Sequence, residues 1–164
     1  MQRYHRCVYQ TITVQYGYVV QHLGDGVMAY FGYPTVFDKA PNNAVQAGLN
    51  LLSEIKSIQN YTMERFDLDF DIRISIHTGQ VIMADLGIGD RKERLALGEA
   101  PNISARLQGL APKNGLAISE ASYLRVKDSF ECHPLGKHRL KGLSGMVEVY
   151  QPIKTIDTVS PFGQ

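Results

Sequence analysis

The chain has 164 residues, of which 44% are hydrophobic and 20% charged, which suits one globular domain with a hydrophobic core and leaves no room for a second. Its 17 basic and 16 acidic residues give a net charge of +1, so the overall charge favours neither nucleic acid nor an anionic membrane surface. No run approaches the ~20 apolar residues of a membrane helix, and no signal-peptide pattern is present. Cys7 and Cys132 lie far apart, which predicts free thiols in a reducing compartment. We expect a cytoplasmic domain that binds no nucleic acid.

The first half of the chain predicts a helix, a hairpin and a second helix. Apolar residues recur at helical spacing over residues 3–16 and predict a helix there. Two β-branched and aromatic runs within residues 18–31 flank a Gly-Asp-Gly triplet and predict a hairpin, with Asp25 at its tip. Apolar residues at helical spacing over residues 40–58 predict an amphipathic helix that packs on a core.

The second half predicts strands around one further long helix. Residues 70–77 alternate between apolar and polar side chains, which predicts a half-buried strand in a sheet with helices on one side only. Residues 79–86 predict another strand, and residues 87–94 its exposed, charged turn. Residues 99–111 predict a helix with a proline near its start, where the missing N–H costs little. The remaining predicted elements are strands near 116–118, 130, 135 and 147–150 and a short helix near 120–126.

The order of helix, hairpin, helix and strand matches most of a β-α-β-β-α-β ferredoxin-like palm, an α+β fold. The first, central strand of that palm has no counterpart among the predicted elements. We assign residues 1–151 to the domain and residues 152–164 to a C-terminal linker or tail.

The predicted hairpin tip carries the first candidate for chemistry. Asp25 lies between Gly24 and Gly26, so no neighbouring side chain crowds its carboxylate. Such a group suits Mg²⁺, which prefers one or two carboxylates together with substrate phosphate oxygens. The alternative is that the Asp-Gly pair only forms a tight turn.

Two further groups are suited to phosphate. Asn102 and Arg106 are four residues apart and share one face of a predicted helix, where the guanidinium could hold a phosphoryl group or simply belong to a solvated face. Lys141 precedes Gly142, a pair that lets ammonium and backbone approach a phosphate or forms an ordinary exposed turn. His77, at the end of a predicted strand, is interpreted as structural.

Four motifs follow one another along the chain: LGDGVMAYFG at 23–32, ISIHTG at 74–79, GEAPNISARL at 98–107 and LKG at 140–142. Their order resembles the successive signatures of class III adenylate/guanylate cyclases. The stretches FGYP at 31–34 and LALGE at 95–99 are similar to bacterial cyclase domains that are fused to ATPase and helical-repeat regions.

The resemblance implies a head-to-tail homodimer, or a pair with another cyclase domain, whose active sites lie at the interface. There two Mg²⁺ or Mn²⁺ ions, held by two aspartates, bind a nucleoside triphosphate, and the 3′-hydroxyl attacks the α-phosphate as pyrophosphate leaves. By this resemblance Asp25 corresponds to the second metal-binding aspartate and Asn102 to the ribose-orienting asparagine. Arg106 corresponds to the arginine on the transition-state phosphate, and Lys141 to the lysine on the terminal phosphates.

The sequence departs from the family pattern at the metal site and at the base. The first metal aspartate belongs to the family's first strand, and no residue of this chain is matched to it. The two positions that help typical members to select adenine carry Gln21 and Leu95. Glutamine can hydrogen-bond a purine edge, whereas leucine offers only packing. The expectation that ATP is the substrate therefore rests on the resemblance to the family and not on these two residues.

We therefore expect a cyclase domain that converts ATP to 3′,5′-cyclic AMP and pyrophosphate and is weak or inactive as this chain alone. The alternative is a non-catalytic cyclase-homology module that binds nucleotide or a partner domain and regulates it. Another palm-type enzyme with a different nucleotide product would have an acidic pair at the hairpin tip, where this chain has Asp25 alone.

Overall fold

The structure is a computed structural model that describes residues 2–157, without the side chains of residues 21–23, 86, 88 and 91–95. Its helices are α1 (Gln2–Val14), α2 (Ala40–Phe66), α3 (Glu99–Gln108) and α4 (Glu120–Val126). Its strands are β1 (Gly17–Leu23), β2 (Gly26–Phe31), β3 (Arg73–Ile76), β4 (Ile82–Ile88), β5 (Arg91–Leu97), β6 (Gly115–Ser119), β7 (Phe130–Arg139) and β8 (Met146–Thr155). None of these helices is long and apolar enough to cross a membrane.

The predicted hairpin and the two helices beside it are confirmed. Strands β1 and β2 pair antiparallel, and the pairing of Leu23 with Gly26 leaves Gly24 and Asp25 as a two-residue turn. Gly24 has φ +60, a conformation that glycine adopts at little cost. The helices pack on each other through an apolar cluster that also contacts β2 and β3; its buried members are Val8, Ile12, Leu51 and Ile55.

The main sheet has four strands in the order β3-β6-β8-β7. Strands β3 and β6 run parallel, while β6 with β8 and β7 with β8 run antiparallel. Strand β6 is central and buried along its whole length. Its Leu116 and Ile118 pack with Val45 of α2 and Val126 of α4, so these two helices cover one face of the sheet.

The prediction of helices on one side only is wrong. Ala117 points away from α2 and packs with Leu107 of α3 and Val149 of β8. On the same face, the Ser75 hydroxyl of β3 donates a hydrogen bond of 2.6 Å to the Ser104 carbonyl oxygen of α3. On the polar face of β3, Ser75 is therefore half-buried under α3, which accepts its hydrogen bond, while Arg73 stays exposed. Polar alternation did not mean exposure along the whole strand.

The second hairpin also differs from the prediction. Strands β4 and β5 pair from Ile82 with Leu97 to Ile88 with Arg91, so most of the predicted charged turn at 87–94 is strand and the connection is Gly89-Asp90. This pair forms a two-stranded sheet of its own. Neither face of such a ribbon has to be buried, so charged residues are tolerated along it.

Strand β8 continues through Thr155, five residues beyond the predicted strand end at Tyr150, because β7 is long enough to pair with it; Phe130 lies opposite Thr155. The predicted boundary between residues 151 and 152 therefore falls inside a strand. Residues 158–164 of the predicted tail lie outside the described part of the chain.

Candidate active site

Asp25 lies exposed at the β1–β2 turn. A Cβ added to its neighbour Gly24 would meet no described atom within 4 Å, its chain neighbours apart, so the turn is open on that side. Burial raises the pKa of the Tyr4 hydroxyl on α1 above its ordinary value, and the negative charges of Asp25 and Cys7 raise it further. Asp25 is therefore near the first turns of α1 and accessible to an ion.

Helix α3 brings Arg106 against the loop between β7 and β8. Its Nη1 donates a short hydrogen bond to the backbone carbonyl oxygen of Lys141. Gly142 has φ +100, and a Cβ added there would lie 3.0 Å from Glu99 Oε2 and 3.3 Å from Arg106 Nη1. The loop thus approaches α3 closely, and both this approach and the positive φ favour glycine at position 142. The predicted residues Arg106 and Lys141 are brought together.

Asn102 is exposed one turn before the half-buried Arg106 on α3. Between them on the helix, Ile103 is buried, only 3% exposed. Its Cγ1 would lie 3.3 Å from a Cβ at Gly142. Asn102 and Arg106 are therefore held on a helix, on the side of α3 that meets the loop between β7 and β8.

Within one chain, Asp25 and the α3 residues face different surfaces. Asp25 lines a groove of about 1940 Å³ that also reaches Ala100 and Ser104 of α3. Among the described residues that line this groove, neither Asn102 nor Arg106 is included. The structure brings together the predicted phosphate-binding residues, but it does not place them in the groove that Asp25 lines.

Gln21 and Leu95, the two predicted base-selecting residues, are placed by their backbones only. Gln21 pairs with Met28 beside a register shift in the hairpin, and Leu95 pairs with Ala84 in the β4–β5 ribbon. Their side chains lie outside the described part of the structure, so their contact with a base stays a prediction.

A hydroxyl and imidazole network, which the sequence did not reveal, lies where β3 and β6 end. His77 Nδ1 lies 2.8 Å from the Ser119 hydroxyl, and the Thr78 hydroxyl lies 2.8 Å from that of Ser122. Ser119 also caps α4 by accepting from the Ser122 N–H. Burial lowers the pKa of His77, so the imidazole is neutral near pH 7 and anchors α4, in agreement with its predicted structural role.

The fold defines the class of the protein: an α+β domain of the nucleotide cyclase fold. The adenylyl cyclase CyaB from P. aeruginosa superposes with a TM-score of 0.88 at 23% identity, over 97% of this chain and 83% of that one. The non-canonical dimeric guanylyl cyclase domain of RhoGC from Blastocladiella emersonii superposes with a TM-score of 0.83 at 19% identity, over 94% of this chain and 82% of that one.

The similarity of the sequence to a family model then identifies the family. The chain belongs to the adenylate and guanylate cyclase catalytic domain family, whose model matches residues 1–154. Adenylate cyclase 1 of Rhizobium meliloti is 24% identical over 153 residues, which cover 92% of this chain and 23% of that relative. The chain thus spans about a quarter of the length of this curated relative. The resemblance in the ordered motifs is confirmed at the level of the family.

Proposed function

We propose that this chain is the catalytic domain of an adenylate cyclase, which converts ATP to 3′,5′-cyclic AMP and pyrophosphate. The observation that carries the proposal is the contact of Arg106 with the Lys141 loop, because it unites two predicted phosphate ligands that are 35 residues apart. The similarity to an adenylate cyclase of Rhizobium meliloti supports ATP as the substrate. We also place the domain in the cytoplasm, which suits the free thiols of Cys7 and Cys132.

The cationic residues are proposed to bind and polarise the triphosphate. Among the described residues, Arg106 donates one N–H to the Lys141 carbonyl, and a guanidinium has five, so others would stabilise charge on the α-phosphate. The exposed ammonium of Lys141 would neutralise the terminal phosphates, which leave as pyrophosphate. Asn102, one turn earlier on α3, would orient the ribose so that its 3′-hydroxyl points at the phosphorus.

The hairpin tip fits a divalent cation. Asp25 offers an exposed carboxylate, which together with substrate oxygens would supply the ligand set that Mg²⁺ prefers. When bound there, Mg²⁺ or Mn²⁺ would offset negative charge on the reacting phosphate. Members of the family hold two ions with two aspartates, and no residue of this sequence is assigned to the first of these aspartates. We therefore expect weak activity from this chain alone.

We further propose that two copies pair head to tail to complete the site. Asp25 and the Asn102–Arg106 pair face different surfaces of one chain, so one molecule does not bring them to a single substrate. In a two-fold pair, Asp25 of one copy can face Asn102 and Arg106 of the other, which gives two equivalent sites. A guanylyl cyclase domain that shares this fold is dimeric, which supports the pairing of two copies.

The test is to supply ATP or GTP with Mg²⁺ or Mn²⁺ and to measure cyclic AMP and cyclic GMP by mass spectrometry. We expect more cyclic AMP than cyclic GMP. Loss of the product in Asp25→Asn would exclude a contaminating cyclase as its source. Absence of product, both from this chain and from one extended by an aspartate-bearing strand, would overturn the proposal.

The shared site has its own test. Asp25→Asn and Arg106→Ala are each expected to be inactive, but their mixture should recover about a quarter of the wild-type rate, because half of the dimers are mixed and each mixed dimer has one intact site. A mixture that remains inactive would place each site within one chain.

The alternative function is a non-catalytic module that binds nucleotide or a partner domain. It is favoured by the unassigned first metal aspartate and by leucine at position 95. It predicts that a non-hydrolysable ATP analogue binds, as measured by calorimetry, while no cyclic nucleotide forms with either metal ion in any mixture of variants. Measurable turnover would dismiss it.

A further inference from the structure

A set of hydrogen bonds, here called the Asn114 clamp, surrounds the side chain of Asn114 in the turn between α3 and β6. Its Oδ1 accepts from Gln59 Nε2 of α2 at 2.8 Å and from the Ile72 N–H at 3.1 Å, and its Nδ2 donates to Asp71 Oδ1 at 2.9 Å. The Asn114 N–H also donates to the Ile72 carbonyl oxygen at 2.7 Å. One residue therefore ties the turn before β6 to α2 and to the segment that leads into β3.

The residue that follows Asn114 makes this asparagine chemically labile. Of the six asparagines in the sequence, Asn114 alone precedes a glycine. Gly115 has no Cβ to hinder the approach of its backbone nitrogen to the asparagine side chain, and asparagine is a thermolabile residue in general. Asn114 is also exposed, so water can reach it. Sequence and position together favour deamidation at residue 114 over the other five asparagines.

The native geometry opposes this reaction at two points. Ring closure requires the Asn114 side chain to turn its Cγ towards the Gly115 nitrogen and to leave the three partners that hold its amide. It also requires removal of the Gly115 amide proton, which is donated to the Pro112 carbonyl oxygen at 2.9 Å. The reaction can therefore proceed only after a local opening of the clamp, and its rate depends on how often the clamp opens.

We propose that Asn114 is a deamidation site whose reaction is controlled by the opening of the Asn114 clamp. In the open state the Gly115 nitrogen loses its proton and attacks Asn114 Cγ. The N–Cγ bond of a succinimide forms, the Cγ–Nδ2 bond breaks, and Nδ2 takes up the proton and leaves as ammonia. Water then opens the ring to aspartate or isoaspartate.

The product cannot rebuild the clamp. A carboxylate at position 114 has no donor for Asp71, which accepts from Asn114 Nδ2 in the native structure, and the two negative charges repel each other. Deamidation therefore irreversibly weakens the link between the turn before β6 and the segment before β3. This inference does not depend on cyclase activity, because the clamp exists whatever reaction the domain performs.

The test is to incubate the folded chain at mildly alkaline pH and to follow residue 114 by peptide mapping with mass spectrometry. A free peptide of residues 110–118 and the chain unfolded in urea give the rate without the clamp. We expect the folded wild type to react on the order of tenfold more slowly than either reference. Gln59→Ala removes a donor to Asn114 Oδ1 and leaves the reacting atoms unchanged. It should speed the reaction about two- to tenfold, the effect of one hydrogen bond on the opening equilibrium.

The matched control is Gln46→Ala, which removes another half-buried glutamine of α2 about 20 Å away along the helix and should keep the wild-type rate. Asp71→Ala, at an exposed position, is a second clamp variant and should also speed the reaction. Equal rates in the folded wild type and the free peptide would overturn the proposal, as would wild-type rates in both clamp variants.

The consequence for the clamp has its own readout. Asn114→Asp reproduces one of the two products, and the amide hydrogen of Ile72, which donates to Asn114 Oδ1 in the native structure, should exchange severalfold faster in this variant. Exchange at the wild-type rate would show that the product leaves the clamp closed and would overturn that part of the proposal. Because no catalytic readout is used, failure here leaves the proposed function untouched.

Discussion

Arg106 of α3 donates a hydrogen bond to the backbone carbonyl oxygen of Lys141 in the loop between β7 and β8. Because the acceptor is a backbone atom, the contact orients the guanidinium without using the Lys141 ammonium. The same contact ties the loop to a helix that is anchored in the core through Leu107, which is fully buried. The guanidinium is thus held beside the backbone of the residue that carries the second cation.

Two substitutions of Arg106 should distinguish the effect of its positive charge on kcat from the effect of its oriented guanidinium. Arg106→Ala removes both, and loss of one donor to a developing anion lowers kcat by about 10²–10³. Arg106→Lys keeps the charge but loses the planar fork, so we expect kcat to fall almost as far while KM changes little. Steady-state kinetics with ATP measure both values. The control is Arg6→Ala, at an exposed position on α1, which should retain the wild-type rate. An unchanged kcat in Arg106→Lys would contradict the view that the orientation of the guanidinium matters.

Gly142 and Gly145 offer a matched pair in the same loop. Both have positive φ, +100 and +71, so alanine is strained at either position by roughly 1 kcal/mol. Only at Gly142 would the new Cβ crowd other residues, at 3.0 Å from Glu99 Oε2 and 3.3 Å from Arg106 Nη1; at Gly145 no atom lies within 4 Å. We expect Gly142→Ala to lower the free energy of unfolding by about 1–2 kcal/mol more than Gly145→Ala, as measured by urea denaturation. Equal losses would show that the loop does not pack closely on α3.

The parts of the fold that could be predicted are those with local signals. The Gly-Asp-Gly turn fixed the tip at Asp25, and the four-residue spacing placed Asn102 and Arg106 on one side of a helix. The contact of Arg106 with Lys141 spans 35 residues and depends on how α3 and the loop pack, which no local pattern encodes. The sequence did not reveal that α3 covers Ser75 of β3, because a hydroxyl that is half-buried against a backbone carbonyl, as Ser75 is against Ser104, gives the same pattern as an exposed one.

The position of Asp25 beside α1 can be tested without any substrate. The charge of Asp25 is one of the causes that raise the pKa of Tyr4, after burial. Asp25→Asn should therefore lower the pKa of Tyr4 towards its ordinary value, while burial keeps it partly raised. Ultraviolet difference titration measures the change, and Tyr4→Phe identifies the signal. The control is Glu64→Gln, which removes a charge at another exposed position and should leave the pKa of Tyr4 unchanged. If the pKa of Tyr4 is the same in the wild type and in Asp25→Asn, the Asp25 carboxylate does not lie near α1.

His77 should make the fold sensitive to mild acid. Burial lowers its pKa below the unfolded value of about 6.5, so below that pH the unfolded chain binds a proton that the folded chain resists, and stability falls as the pH decreases through this range. The Ser119 contact at 2.8 Å holds the neutral ring. We expect His77→Gln to lose less of its free energy of unfolding than the wild type between pH 7.5 and pH 5, by urea denaturation at each pH. His133→Gln, at an exposed position on β7, should follow the wild-type profile, and identical slopes in His77→Gln and wild type would show that protonation of His77 does not oppose folding.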